Sequence, residues 1–224
     1  MNNNLLIVGS GEWAKQAEEI AKAMGCYEKI EIFSNEEMDQ NEFLRNIESK
    51  AGKFSYGIAV SESDVERLFY DSQLLEFGFC VAKLIHPESV IMENVSLQNG
   101  CVIDKAVVIQ NGSSLGIGTL VFEGVVVGMN SAVGDVCVLK QNSIVAPNSL
   151  LRMGRVLSEN QVFQGVDDIT RFVMGEHNQN QCPSFDRGEE WVKQYMKDFE
   201  TTPSFFLKMG WEKKNATKAY VYYK

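Results

Sequence analysis

The feature that most constrains this 224-residue chain is a large apolar residue at every sixth position from Ile85 to Phe163. The series runs Ile85, Ile91, Leu97, Ile103, Ile109, Leu115, Val121, Val127, Val133, Leu139, Val145, Leu151, Leu157, Phe163 without a break. Two residues before most of them stands a small side chain, among them Ser89, Cys101, Ser113, Thr119, Ser131, Cys137, Ser143 and Ser149. Asn and Gly crowd the remaining positions, as at Asn99-Gly100, Asn111-Gly112, Gly118 and Gly124, where a backbone turning a corner needs left-handed or unhindered residues. Sandwich strands would alternate with period two, whereas a sustained short repeat marks a solenoid. Large and small inward residues with Gly/Asn corners predict a left-handed parallel β-helix over residues 85–166.

Ahead of the repeat, residues 1–84 alternate short apolar runs with amphipathic stretches, the pattern of a small Rossmann-like βαβ parallel sheet. Leu5–Val8 reads as the first strand. Ala14, Ala17, Ile20, Ala21 and Met24 share one helical stripe that Gly25 terminates. Further strands are expected at 31–33 and 56–60, with helices over 36–50 and 64–77, and Pro87 breaks the pattern. After Gln164 the period fails. Residues 167–224 turn polar and then aromatic, which predicts a partly helical C-terminal extension, with a helix near Gly188–Phe199, that caps the solenoid.

Charge and composition exclude several functions. The net charge is -9 and no Lys/Arg stripe offsets it, so a nucleic-acid partner is not expected. Five scattered cysteines and two histidines form no ligand spacing, so no metal is expected. The N-terminus has no basic segment and no apolar run near the ~20 residues of a membrane span, which predicts no membrane insertion and a cytoplasmic location.

Gly9-Ser10-Gly11-Glu12-Trp13-Ala14 follows an apolar strand and opens a helix, so its N–H groups and the positive helix end suit a phosphate. A nicotinamide cofactor would call for an acid at the end of the second strand. The chain has Phe33-Ser34-Asn35 there, with no carboxylate before Glu36, which favours a nucleotide sugar. A purely structural turn is the alternative. Ser10, Gly11, Phe33, Ser34, Asn35, Ser61 and Glu62 would line the site, at strand C-termini where open α/β sheets bind ligands.

Three segments carry a family resemblance: the glycine turn at 9–15, FSYGIAVSESDVERLFYDSQLLEFGF at 54–79 and LIHPESVI at 84–91. Together they make residues 1–166 resemble the two-domain hexapeptide-repeat sugar acyltransferases, the N-acetyltransferases for UDP-linked 4-amino-sugars and their perosamine and sialic-acid O-acetylating relatives. The resemblance implies a nucleotide-sugar site on the N-terminal domain, acetyl-CoA as co-substrate, a homotrimer and a role in surface-glycan precursor synthesis. It also implies an acid-histidine pair on one coil, and here the chain departs: Phe122 and Glu123 stand in those places. Candidate proton acceptors are Glu123 and His177, while His86 before Pro87 reads as structural. An amine needs a base less than a hydroxyl does, so loss of the histidine favours N-acylation. Asp167 and Asp168 replace the resembled family's Pro-Ala near CoA, where two carboxylates would repel a phosphate. The second reading is a catalytically degenerate relative serving as a nucleotide-sugar-binding or scaffold protein.

Overall fold

The computed structural model describes residues 2–34 and 40–167. From Leu84 onward, fourteen two-residue strands, β5 (Leu84–Ile85) to β18 (Val162–Phe163), recur every six residues. Each pairs in parallel with a strand one coil away, Leu84 beside Val102 and Val102 beside Leu120. Three stacked sheets result. A first face holds β5, β8, β11, β14 and β17, a second β6, β9, β12, β15 and β18, and a third β7, β10, β13 and β16. Short parallel strands in three stacks fit the left-handed β-helix expected from the period. No loop interrupts it.

The second residue of each strand points inward, and the whole apolar series of the sequence makes one core. Small residues precede it for a reason beyond volume. Ser113 Oγ donates to the Gly128 carbonyl at 2.7 Å, Ser131 Oγ to that of Ala146 at 2.9 Å, and Thr119 Oγ1 to that of Gly134 at 3.1 Å. Each hydroxyl thus ties its coil to the next, satisfying a polar group inside an apolar tube. Left-handed backbone recurs at every sixth residue from Asn94 to Asn160, and Asn or Gly fills all these corners except Ala106 and Val136. Val136, β-branched at φ 49°, is the costliest occupant.

The N-terminal part is a four-stranded parallel sheet in the order β2 (Lys29–Phe33), β1 (Asn4–Val8), β3 (Tyr56–Ala59), β4 (Cys80–Val81). Its helices are α1 (Gly11–Met24), α2 (Gln40–Lys50) and α3 (Asp64–Glu76). α1 ends as its sequence requires, at Gly25 with φ 65°.

Residues Met1–Asp167 form one compact unit. α1 is the layer between sheet and solenoid: Ala14, Ala17, Ile20 and Ala21 pack with Leu5, Ile7 and Ile58 and with Leu84, Val102 and Leu120, outward residues of the first face. Alanines keep this helix close to both. α1 climbs the coils from its C-terminus. Met24 Sδ accepts the Ile85 N–H at 3.3 Å, Gln16 donates to Asp104, and Trp13 meets Phe122 edge-on at 4.8 Å. Among the first face's outward residues, Leu84, Val102, Leu120 and Val138 are covered while Val156 is 49% exposed, so the cover ends between the fourth and fifth strands.

Candidate functional site at the strand ends

β1 lies between β2 and β3, so its C-terminal end is the point where chain connections diverge to the two sides, the usual ligand crevice of an open parallel sheet. Gly9 closes that end. Its N–H bonds the Phe33 carbonyl at 3.1 Å, its φ is 155°, and a Cβ there would strike the Val60 carbonyl, so no larger residue fits. Ser10 is the N-cap of α1 in extended geometry, yet its side chain makes no capping bond, and Gly11 at φ 66° has open space beside it. The first-turn N–H groups of α1 thus meet no Ser10 hydroxyl, the condition under which a helix start receives an anion.

The candidate residues differ in what surrounds them. Ser10 is half-buried and Gly11 and Ser34 are exposed at the strand ends. Phe33 is buried against Phe43, at 5.7 Å between ring centroids, with Lys50 Nζ 5.5 Å from its ring, so it anchors the sheet edge. Ser61 donates to Glu66 Oε2 at 2.6 Å and accepts the Ser63 N–H at 3.2 Å, while Glu62 is exposed. Asn35 and His177 lie outside the described residues, as do Asp168 and the expected capping extension and its helix.

Glu123 sits on the coil whose Phe122 meets Trp13. It is exposed, with Oε1 3.5 Å from Lys105 Nζ. His86, half-buried, accepts the Glu88 N–H on Nδ1 at 3.2 Å, a local turn bond consistent with a structural role. Asp167 Oδ2 lies 3.7 Å from both Arg152 Nε and Arg155 Nε. Among the described residues, no group of three His, Cys, Asp or Glu side chains is placed to hold a metal. No described helix is long and apolar enough to cross a membrane.

Sequence reasoning missed the best-buried charges among the described residues. Arg67 of α3 is 0% exposed. Its guanidinium donates to the carbonyls of Ser61 and Glu62 in the loop after β3, to Gly118 at 3.1 Å and to Val136 on two coils. One turn on, Asp71 is buried too: Oδ1 accepts the Ala59 N–H at 2.9 Å, and Oδ2 has no hydrogen-bond partner. Burial pushes this carboxyl up to about 7, against the pull of the Ala59 N–H and Arg67, and burial lowers Arg67 to about 10. A signal was present, since Arg67, Asp71 and Leu74 share one helical stripe, but opposite charges four apart on a helix ordinarily mark a solvated face.

Solved structures share this architecture. A histidine-to-alanine variant of GDP-perosamine N-acetyltransferase from Caulobacter crescentus, in complex with CoA and GDP-perosamine, matches with TM-score 0.57 at 17% identity, over 74% of this chain and 94% of that one. PerB from Caulobacter crescentus, with the same two ligands, gives 0.54 at 18% identity over the same shares. The chain has their fold. It resembles the hexapeptide-repeat sugar N-acetyltransferases, as the three sequence segments implied. No family model matches the sequence, and no curated protein matches it.

Proposed function

We propose that the chain is an acetyl-CoA-dependent acyltransferase acting on the amine of a nucleotide-linked amino sugar in surface-glycan precursor synthesis. Residues 1–84, read as a Rossmann-like domain, hold the nucleotide sugar, and residues 85–166 supply the coils on which transfer takes place. The observation that carries this reading is the crevice at the end of β1, with the N-terminus of α1 unoccupied by its own cap and the bare end of the first face beyond it. The diphosphate meets Ser10 and Gly11, and Ser34, Asn35, Ser61 and Glu62 border the nucleoside and sugar.

In the transfer, the amine nitrogen attacks the thioester carbonyl, the C–S bond breaks, CoA leaves as the thiolate, and the proton lost by the nitrogen passes through an acceptor to the thiolate. Glu123 and His177 are the candidate acceptors of that proton. Carboxylates are weak bases at neutral pH, which suits an amine acceptor better than a hydroxyl. In the Caulobacter neighbour, CoA and GDP-perosamine are both bound with a histidine replaced by alanine, which supports ligand binding in a chain that has no histidine from 87 to 176. The same missing histidine favours the second reading, a binding protein that keeps the crevice and has lost the chemistry.

A homotrimer is part of the proposal. The outward column of the second face, Val90, Val108, Val126, Ile144 and Val162, is a ladder of β-branched aliphatics, with Val162 61% exposed, whereas the third face presents Ser96, Ser114 and Ala132 before Leu150. A ladder of this kind suits burial against further copies. Light scattering at micromolar concentration should return three chains and, for Val126→Lys, fewer. A wild-type monomer removes the trimer from the proposal.

The functional test is calorimetry with acetyl-CoA and with UDP- and GDP-linked sugars, followed by thiol release with amino-sugar and hydroxyl-sugar acceptors. Binding of both ligands, with thiol released only for amines, is the expected outcome. Nucleotide-sugar binding without acetyl-CoA binding would establish the second reading in its place.

A further inference from the structure

We infer that Arg67 is the positioning residue that sets the Ser61–Glu62 loop, and with it the bound sugar, at a fixed height on the solenoid; this rests on the nucleotide-sugar reading above. Corner residues recur one coil apart along the edge beside the first face: Gly100, Gly118, Val136 and Gly154. α3 lies along that edge with three polar side chains for the four corners, Arg67 serving two of them. Asp71 Oδ2 would be 2.5 Å from a Cβ at Gly100, Arg67 donates to the carbonyls of Gly118 and Val136, and Asp64 Oδ2 would be 2.9 Å from a Cβ at Gly154. The stripe 64, 67, 71 has the spacing of successive helical turns, close to the pitch of the coils. Sliding α3 by one coil would bring Arg67 to the wrong pair of carbonyls.

The other side of the guanidinium faces the loop. Arg67 holds the Ser61 and Glu62 carbonyls, Asp71 holds the Ala59 N–H at the end of β3, and the Ser61 side chain is already engaged by Glu66 and Ser63. The loop therefore has a single position, dictated by the second and third of these corners. Val136 bears the strain of this arrangement, a β-branched residue in left-handed backbone at the corner whose carbonyl Arg67 takes. A lysine offers one nitrogen where Arg67 uses three and cannot span loop and coils together.

The test compares wild type, Arg67→Lys, Arg67→Gln and a stability control, Leu139→Ala in the solenoid core. In Arg67→Lys, at a temperature where the variant is folded, nucleotide-sugar Kd should rise by about tenfold while acetyl-CoA Kd stays within about twofold. Leu139→Ala, matched in lost Tm, should leave both unchanged. Hydrogen exchange supplies the second measurement: amides of 60–66 should exchange faster in both Arg67 variants, while the amides of β5 to β8 keep wild-type rates. An unchanged nucleotide-sugar Kd, or an equal rise in Leu139→Ala, overturns the inference. If the wild type binds no nucleotide sugar, the proposed function fails on its own, and unaltered exchange at 60–66 in Arg67→Lys would overturn the positioning role separately.

Discussion

Two helices join the α/β layer to the solenoid, and they do it by opposite chemistry. α1 presents Ala14, Ala17, Ile20 and Ala21 to Leu84, Val102 and Leu120. α3 presents Asp64, Arg67 and Asp71 to a column of corners. Apolar contact is non-directional, so α1 supplies adhesion that would tolerate a small slide. Buried hydrogen bonds from a charge are directional and costly to misplace, so α3 supplies register. A joint built only like α1 would hold without defining a height. One built only like α3 would carry buried charge with too little apolar area to offset it.

Breaking the polar joint should have the largest effect. Arg67→Met leaves the buried carbonyls of Gly118 and Val136 without their donor and should cost about 2–6 kcal/mol in chemical denaturation, at ~1–3 kcal/mol for each. A loss below about 1 kcal/mol would mean the guanidinium is held no better than a surface charge. Leu120→Ala opens a gap under α1 and should cost about 2–4 kcal/mol, with exchange at 60–66 left at wild-type rates. Faster exchange there would show that the apolar joint also sets register.

The pH dependence sharpens the contrast. Asp71 is raised to about 7 in the folded chain, so the native state holds a proton that the unfolded chain, at about 4, releases. Stability from this group is therefore full below about pH 4, declines as pH rises to about 7 and is level beyond. Tm measured from pH 4 to 8 should show a downward component in wild type that Asp71→Asn lacks. The same slope in both proteins would remove Asp71 as its source.

The solenoid was legible because its signal is repetition: each inward aliphatic and each Asn or Gly corner has the same cause, and one register predicts all fourteen strands. The α/β elements were legible from period and punctuation, down to Gly25. The candidate site was legible only in outline. Ser10, Gly11 and Ser61 fall at strand ends because topology puts them there, and Phe33 packs on Phe43, a contact that a ring at a strand end does not announce in sequence. Arg67 was illegible for a similar reason. What makes it a buried key is a pair of carbonyls more than fifty residues away, and nothing local records them.

The eighteen-residue coil also limits how such a chain can change in length. A deletion of a few residues between Leu84 and Phe163 would turn inward aliphatics outward in every later strand, whereas removal or duplication of a whole coil restores each column. Insertion of one coil between Gly118 and Val136 would keep the core intact, yet would separate the two carbonyls that Arg67 spans by a further ~4.8 Å. The solenoid is thus a ruler with one permitted graduation, and its upper end can grow freely only beyond the mark that α3 reads.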